Sequence, residues 1–240
     1  MSTAPTEATG QSHPPSPIRG SDAAGDRDER MKDVLLDAAI TSILDRGFYR
    51  ASSNEIARQA EVTWGAIQYY FGTREELLLA VLERGFTRFV ASLDNTHLTG
   101  GTIRERLVSL AKLVWVHYGR REYVAIMQIH LNLSRDPKRA EATEEAMLRL
   151  ADGLDAGWKG LMERAFGPAL GEAGLDTFVF EVLRGQALGD AIAREGPEGV
   201  VSRIANDVVR ANQSRLIDVL SDHIEQCIGR AAESGVSRPR

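Results

Sequence analysis

From about residue 28 to about residue 229, apolar positions recur every three or four residues, the period of a helix with one buried face. Leu35, Ala38, Ala39 and Ser42 form the first such stripe. Gly47 stands where that helix must end, since glycine enters the left-handed region without strain. A short helix headed by Ser52 and another over 64–70 follow. Longer helices are predicted over about 74–92, 102–118, 123–133, 137–166, 175–194 and 200–229. Pro137 is read as the opening residue of the helix ending near Phe166. No alternating apolar–polar run is long enough for a strand, and no internal repeat is visible. The pattern predicts an all-α chain with an N-terminal three-helix unit and a larger C-terminal helical unit.

Residues 1–26 break the pattern: Pro5, Pro14, Pro15 and Pro17 stand there among Ser, Thr, Gly and Ala. Such a stretch buries too little apolar area to offset its ordering entropy, so it is expected to be a disordered tail. Residues 231–240 are expected to be a flexible C-terminal tail.

Composition narrows the function. With 43% hydrophobic and 26% charged residues, a chain of 240 can build a sizeable core. Its net charge of −5 excludes nucleic-acid binding through bulk charge, so any DNA contact needs a local, shaped surface. A single cysteine, Cys227, excludes a disulfide framework and a multi-cysteine zinc site. His13, His97, His117, His130 and His223 are not spaced as metal ligands, and Glu141, Glu144 and Glu145 read as a solvated helix face. No phosphate-cradling loop, nucleophile elbow or zinc-hydrolase motif occurs. No enzyme activity, cofactor or metal is therefore expected. Without a long apolar run or a secretory leader, the expected location is cytoplasmic, with no membrane partner.

The informative segment is 52–77. Ser52 with Glu55, and Thr73 with Glu76, have the spacing of capping boxes, and Thr63 is placed to cap the helix between them. Two short helices joined by a tight turn make a helix-turn-helix. Ala57 is small enough for the crossing, Val62 fills the gap, Gly65 allows close approach, and Ile67 and Phe71 point inward. Thr63, Trp64, Ala66, Gln68, Tyr69 and Tyr70 are then left to face outward. Hydroxyls and phenols bond phosphates, an amide can read adenine, and apolar groups can meet the thymine methyl.

With its capped Ile-Ala helix, its Val-Thr-x-Gly-x-Ile run, the Tyr69-Tyr70-Phe71 triplet and then Arg74 and Glu-x-Leu, the segment resembles the DNA-binding domain of TetR-type transcriptional repressors. The resemblance spans roughly residues 28–81 and implies a DNA-binding domain over 27–73. The implied DNA contacts are Ser52, Thr63, Trp64, Ala66, Gln68, Tyr69, Tyr70 and Arg74. Two positions depart from the family pattern. Glu61 occupies the usual turn glycine, at a cost of about 1 kcal/mol, and Gln68 replaces a phosphate-binding Tyr. Between Arg27 and Thr73, six Lys/Arg against seven Asp/Glu leave a net −1. Affinity must then rest on placement at helix N-termini.

For residues 74–230 the resemblance implies a ligand-binding and dimerisation domain, with a homodimer through the last two helices. Apolar and aromatic residues there nominate Trp115, Tyr118, Tyr123, Met127, Trp158, Met162 and Phe178 as the ligand site, although such stripes are more often core. His117, Gln128, His130 and Arg184 are polar groups on otherwise apolar stretches. The implied function is a ligand-responsive regulator released from a palindromic operator by a small hydrophobic effector. The alternative is a ligand-binding or interaction protein whose DNA-binding domain is weak or vestigial.

Overall fold

The computed structural model describes residues 19–172, 174–195 and 206–235. Among these there are ten helices and no strand: α1 (Arg19–Arg46), α2 (Ser53–Gln59), α3 (Trp64–Phe71), α4 (Arg74–Asp94), α5 (Ile103–Tyr118), α6 (Arg121–Arg135), α7 (Glu141–Phe166), α8 (Ala169–Glu172), α9 (Leu175–Glu195) and α10 (Asn206–Gly235). The all-α reading holds.

Two apolar cores organise them. The first gathers Leu35, Ala39 and Ile43 of α1, Ile56 and Ala57 of α2, Ile67 of α3 and Leu77, Leu78 and Val81 of α4. Ala125, Ile129 and Leu133 of α6 complete it, so a helix of the C-terminal unit closes the core of the N-terminal one. The second core runs through Phe89 and Leu93 of α4, Leu107, Leu110 and Val114 of α5, Trp158, Leu161 and Met162 of α7, Val179 and Leu183 of α9 and Leu220 and Ile224 of α10. Each fully buried Leu or Ile contributes about 1.5–3 kcal/mol relative to exposure. α4 and α6 thus bridge the two cores. They approach so closely at Gly85 that a Cβ there would lie 2.8 Å from the Ile126 side chain.

Several boundaries differ from the sequence reading. α1 extends back to Arg19, into the segment expected to be a tail, and α10 runs to Gly235, past the expected start of the C-terminal tail. Residues 200–205, the expected start of the last helix, lie outside the described residues. Pro137 does not open α7. The Lys138 amide donates to Asp136 Oδ1 at 2.9 Å, making a local turn that competes with helix, and the helix begins at Glu141. The short α8 has no periodic signal and was not expected.

The caps also divide. Thr73 and Glu76 form the full reciprocal box. Ser52 Oγ accepts the Glu55 amide at 3.3 Å, but the box is not closed. The Ser52 amide is already bonded to Arg50 O at 2.9 Å, and the Glu55 carboxylate pairs with Arg46 and Arg58, each at 2.6 Å. Gly47 ends α1 at φ 82°, as expected, and Glu61 holds the turn between α2 and α3 at φ 56°.

Candidate nucleic-acid interface and ligand cavity

α3 is held at three points. Ile67 is buried against the first core and Val62 packs at its head. Near its end, the Tyr70 hydroxyl donates to Asp28 Oδ1 of α1 at 3.1 Å. That leaves Thr63, Trp64, Gly65, Gln68 and Tyr69 exposed, with Trp64 at 49% and Tyr69 at 77%. Trp64 and Gln68 are four residues apart and share a face. Thr63 takes the cap position with extended backbone, but its hydroxyl makes no cap bond, leaving it turned to solvent. Gly65 makes no close helix contact: a Cβ there would meet only Thr63 Oγ1, at 3.6 Å, so it bares backbone on the outer face. Ser52 is also exposed, and Ala66 is half-buried.

Arg74 is placed differently from the sequence expectation of a phosphate contact. Its guanidinium turns inward and donates to Ala51 O at 3.0 Å and Phe48 O at 2.9 Å, lying over the Phe48 ring at 4.7 Å. Burial lowers its pKa from the ordinary arginine value. Adjacent to it, Glu75 Oε1 accepts the amide of Ala140, the residue that precedes α7, at 3.0 Å. The head of α4 therefore fastens the α1–α2 turn on one side and the C-terminal unit on the other. Farther along, Arg84 pairs with Asp33 at 3.0 Å and Asp37 at 2.5 Å, binding α4 to α1 again.

In the C-terminal unit a cavity of about 550 Å³ lies between α4, α6, α7 and α9, within the range of sites for small organic ligands. Its walls are mostly apolar: Leu82 and Phe86 of α4, Ile126, Met127 and Leu131 of α6, Met147, Leu150, Leu154 and Trp158 of α7, and Phe180 and Leu188 of α9. The polar lining comes from Tyr118, Tyr123, His130, Asp155, Thr177, Glu181 and Arg184. The Tyr118 and Tyr123 rings meet edge to face at 4.4 Å. Burial raises both phenols, Tyr123 to about 12, so they stay protonated. Behind them His117 stacks on Phe89 at 4.1 Å, and burial, with the nearby Arg120 charge, lowers it to about 4.

The N-terminal unit matches a family model described as bacterial regulatory proteins of the tetR family, over residues 35–81. Among curated proteins the chain is 24% identical over 123 residues to a fatty acid metabolism regulator protein of Bacillus subtilis. That alignment covers 50% of this chain and 63% of that protein. It is 35% identical over 89 residues to the transcriptional repressor KstR of Mycolicibacterium smegmatis, covering 37% of this chain and 41% of KstR. The alignments thus span less than two-thirds of either relative. Over residues 35–81 the chain carries the N-terminal domain of the tetR family model. The fold agrees over a longer stretch. A crystal structure of the transcriptional regulator FadR from Bacillus subtilis, in complex with stearoyl-CoA, superposes with a TM-score of 0.55 at 17% identity. It covers 78% of this chain and 96% of FadR.

Within this fold the expected ligand residues separate into two sets. Tyr118, Tyr123, Met127 and Trp158 line the cavity. Trp115, Met162 and Phe178 do not. Trp115 packs against the second core from the far side of α5, with its Nε1 buried and unpartnered. Met162 is one helical turn beyond Trp158, and at 1% exposure it belongs to the core itself. Phe178 is 48% exposed and faces α10, where it borders an apolar groove with Val182, Leu216 and Val219. Period alone places a residue on an inward face; which neighbour that face meets is tertiary information. Phe86, Leu131, Met147 and Phe180 were missed for the same reason, while His130 and Arg184 were visible as polar breaks in apolar stretches. Among the described residues no helix is long and apolar enough to cross a membrane, and no cluster of metal-ligating side chains occurs.

Proposed function

We propose that this protein is a DNA-binding transcriptional regulator, a repressor that releases its operator when a small apolar effector enters the C-terminal cavity. The observation that carries the reading is the double role of α6. Ala125, Ile129 and Leu133 lie in the core of the helix-turn-helix unit, while Met127, His130 and Leu131 of the same helix line the cavity. Ile126 and Leu82 belong to both. A ligand that displaces α6 must therefore disturb the seat of α3. It shifts the equilibrium by its differential affinity for the two arrangements and by no more.

On DNA, α3 would enter the major groove with Trp64, Gln68 and Tyr69 foremost and with Ser52 and Thr63 at phosphates. Two copies would read two half-sites of a near-palindrome. The second copy is supplied by the α9–α10 face, where Phe178, Val208 and Val219 are between 48% and 66% exposed. An apolar face of this kind suits a two-fold interface of four helices.

Selection from a randomised duplex library tests the reading. Wild-type protein should enrich an inverted repeat, and Gln68→Ala should enrich one altered at a single base position in each half. A wild-type selection that converges on no sequence would return the protein to the alternative of a ligand-binding module with a vestigial helix-turn-helix.

A further inference from the structure

One cation in the cavity wall has no counterion. Arg184 of α9 is half-buried, lines the cavity, and lies over the Phe180 ring at 5.1 Å. Among the described residues it makes no ion pair and no hydrogen bond. The carboxylates near it do not serve. Asp155 is taken by Lys159 at 2.7 Å, and Glu181, one turn earlier on α9, is exposed and outside ion-pair reach. A guanidinium held at an apolar wall without a partner loses hydration that only an anion restores fully, and its planar fork fits a carboxylate.

The polar neighbours set the charge such an anion can carry. Tyr118 and Tyr123 present protonated phenols whose rings pack edge to face at 4.4 Å. His130 is held neutral at pH 7, because partial burial and the Arg184 charge lower its pKa. Of the described residues that line the cavity Arg184 is the one arginine or lysine, while Asp155 is paired with Lys159 and Glu181 is exposed; one such cation suits a monoanion and not a polyphosphate.

Resting on the reading of this cavity as the effector site, we propose that its ligand is an apolar monocarboxylic acid. The carboxylate pairs with Arg184, and the hydrocarbon body lies against Met127, Met147, Leu150, Trp158 and Phe180.

Calorimetric titration of the full chain with dodecanoate, dodecan-1-ol and dodecylamine tests this. Each is used below its micellar concentration, against wild type and Arg184→Met, which keeps an apolar stem against Phe180. The acid should bind wild type at least about tenfold tighter than the alcohol, the scale of one charge-assisted hydrogen bond. Arg184→Met should abolish that preference while leaving the alcohol affinity unchanged. Equal affinities of acid and alcohol for wild type would overturn the proposal, as would an acid preference that survives Arg184→Met or tighter binding of the amine, and the cavity would remain an effector site. Failure of all three compounds to bind wild type would overturn the effector-site reading as well.

Discussion

Arg74 lies with its guanidinium 4.7 Å above the ring of Phe48 and donates to the carbonyl oxygen of that same residue at 2.9 Å. With the second bond to Ala51 O, this makes the head of α4 a clamp on the turn that carries the chain from α1 into α2.

A clamp and a phosphate contact predict different behaviour for Arg74→Ala. Losing two charge-assisted bonds to backbone carbonyls should cost about 1.5–3 kcal/mol of stability. DNA affinity should fall through misplacement of α3, while the salt dependence of binding keeps its slope. A slope reduced by about one unit, with an unchanged urea midpoint, would instead place the side chain on a phosphate.

His117 should make stability depend on pH. Its folded pKa, about 4, lies below the usual value because of burial against Phe89 and then the charge of Arg120. The unfolded chain therefore binds the proton more tightly. The full stability is present above about pH 6.5 and falls as the pH drops toward 4. The loss should reach up to about 3 kcal/mol. Urea melts at pH 7 and pH 4.5 should show it, and His117→Phe should flatten the difference.

The tryptophans of α5 and α7 should part company. Trp158 is 3% exposed and donates its Nε1 to Asp176 O at 2.8 Å, whereas the buried Nε1 of Trp115 has no partner. Trp158→Phe loses this bond while the Asp176 carbonyl keeps its place in the α9 ladder, and should cost about 0.5–1.5 kcal/mol. Trp115→Phe removes an unsatisfied donor and should be neutral to within about 1 kcal/mol. Trp158→Ala should also remove the rise in melting temperature that a cavity ligand gives, since it takes away part of the wall. Thermal melts of the three variants, with and without dodecanoate, make the comparison.

Assembly should depend on the α9–α10 groove. Val219 is 66% exposed beside Phe178, and a charge placed there cannot be buried between two copies without a partner. Sedimentation at low micromolar concentration should find wild type at twice 26.3 kDa and Val219→Glu at 26.3 kDa with its helical content intact. A monomeric wild type would remove the two-fold reading of DNA along with the interface.

Local and periodic signals determined most of the architecture directly from the chain. The 3.6-residue stripe of Leu35, Ala39 and Ile43 and the Thr73–Glu76 box are each set by residues within one or two helical turns of each other, so they are visible without a fold, whereas the left-handed turn at Glu61 was implied only by the family pattern. The motif at 52–77 carried the family for the same reason. What only the tertiary structure decided are relations between distant segments. Arg74 turns to carbonyls 23 and 26 residues earlier, where a sequence reading sees a free cation at a helix head. Glu55 abandons its capping partner for Arg46, which α1 brings alongside. Trp115 and Trp158 look alike on their stripes, but the cavity opens on one and not the other. Hydrophobic burial is non-directional: it says that a face turns inward, while the crossing of four helices decides whether it meets core, cavity or a second copy.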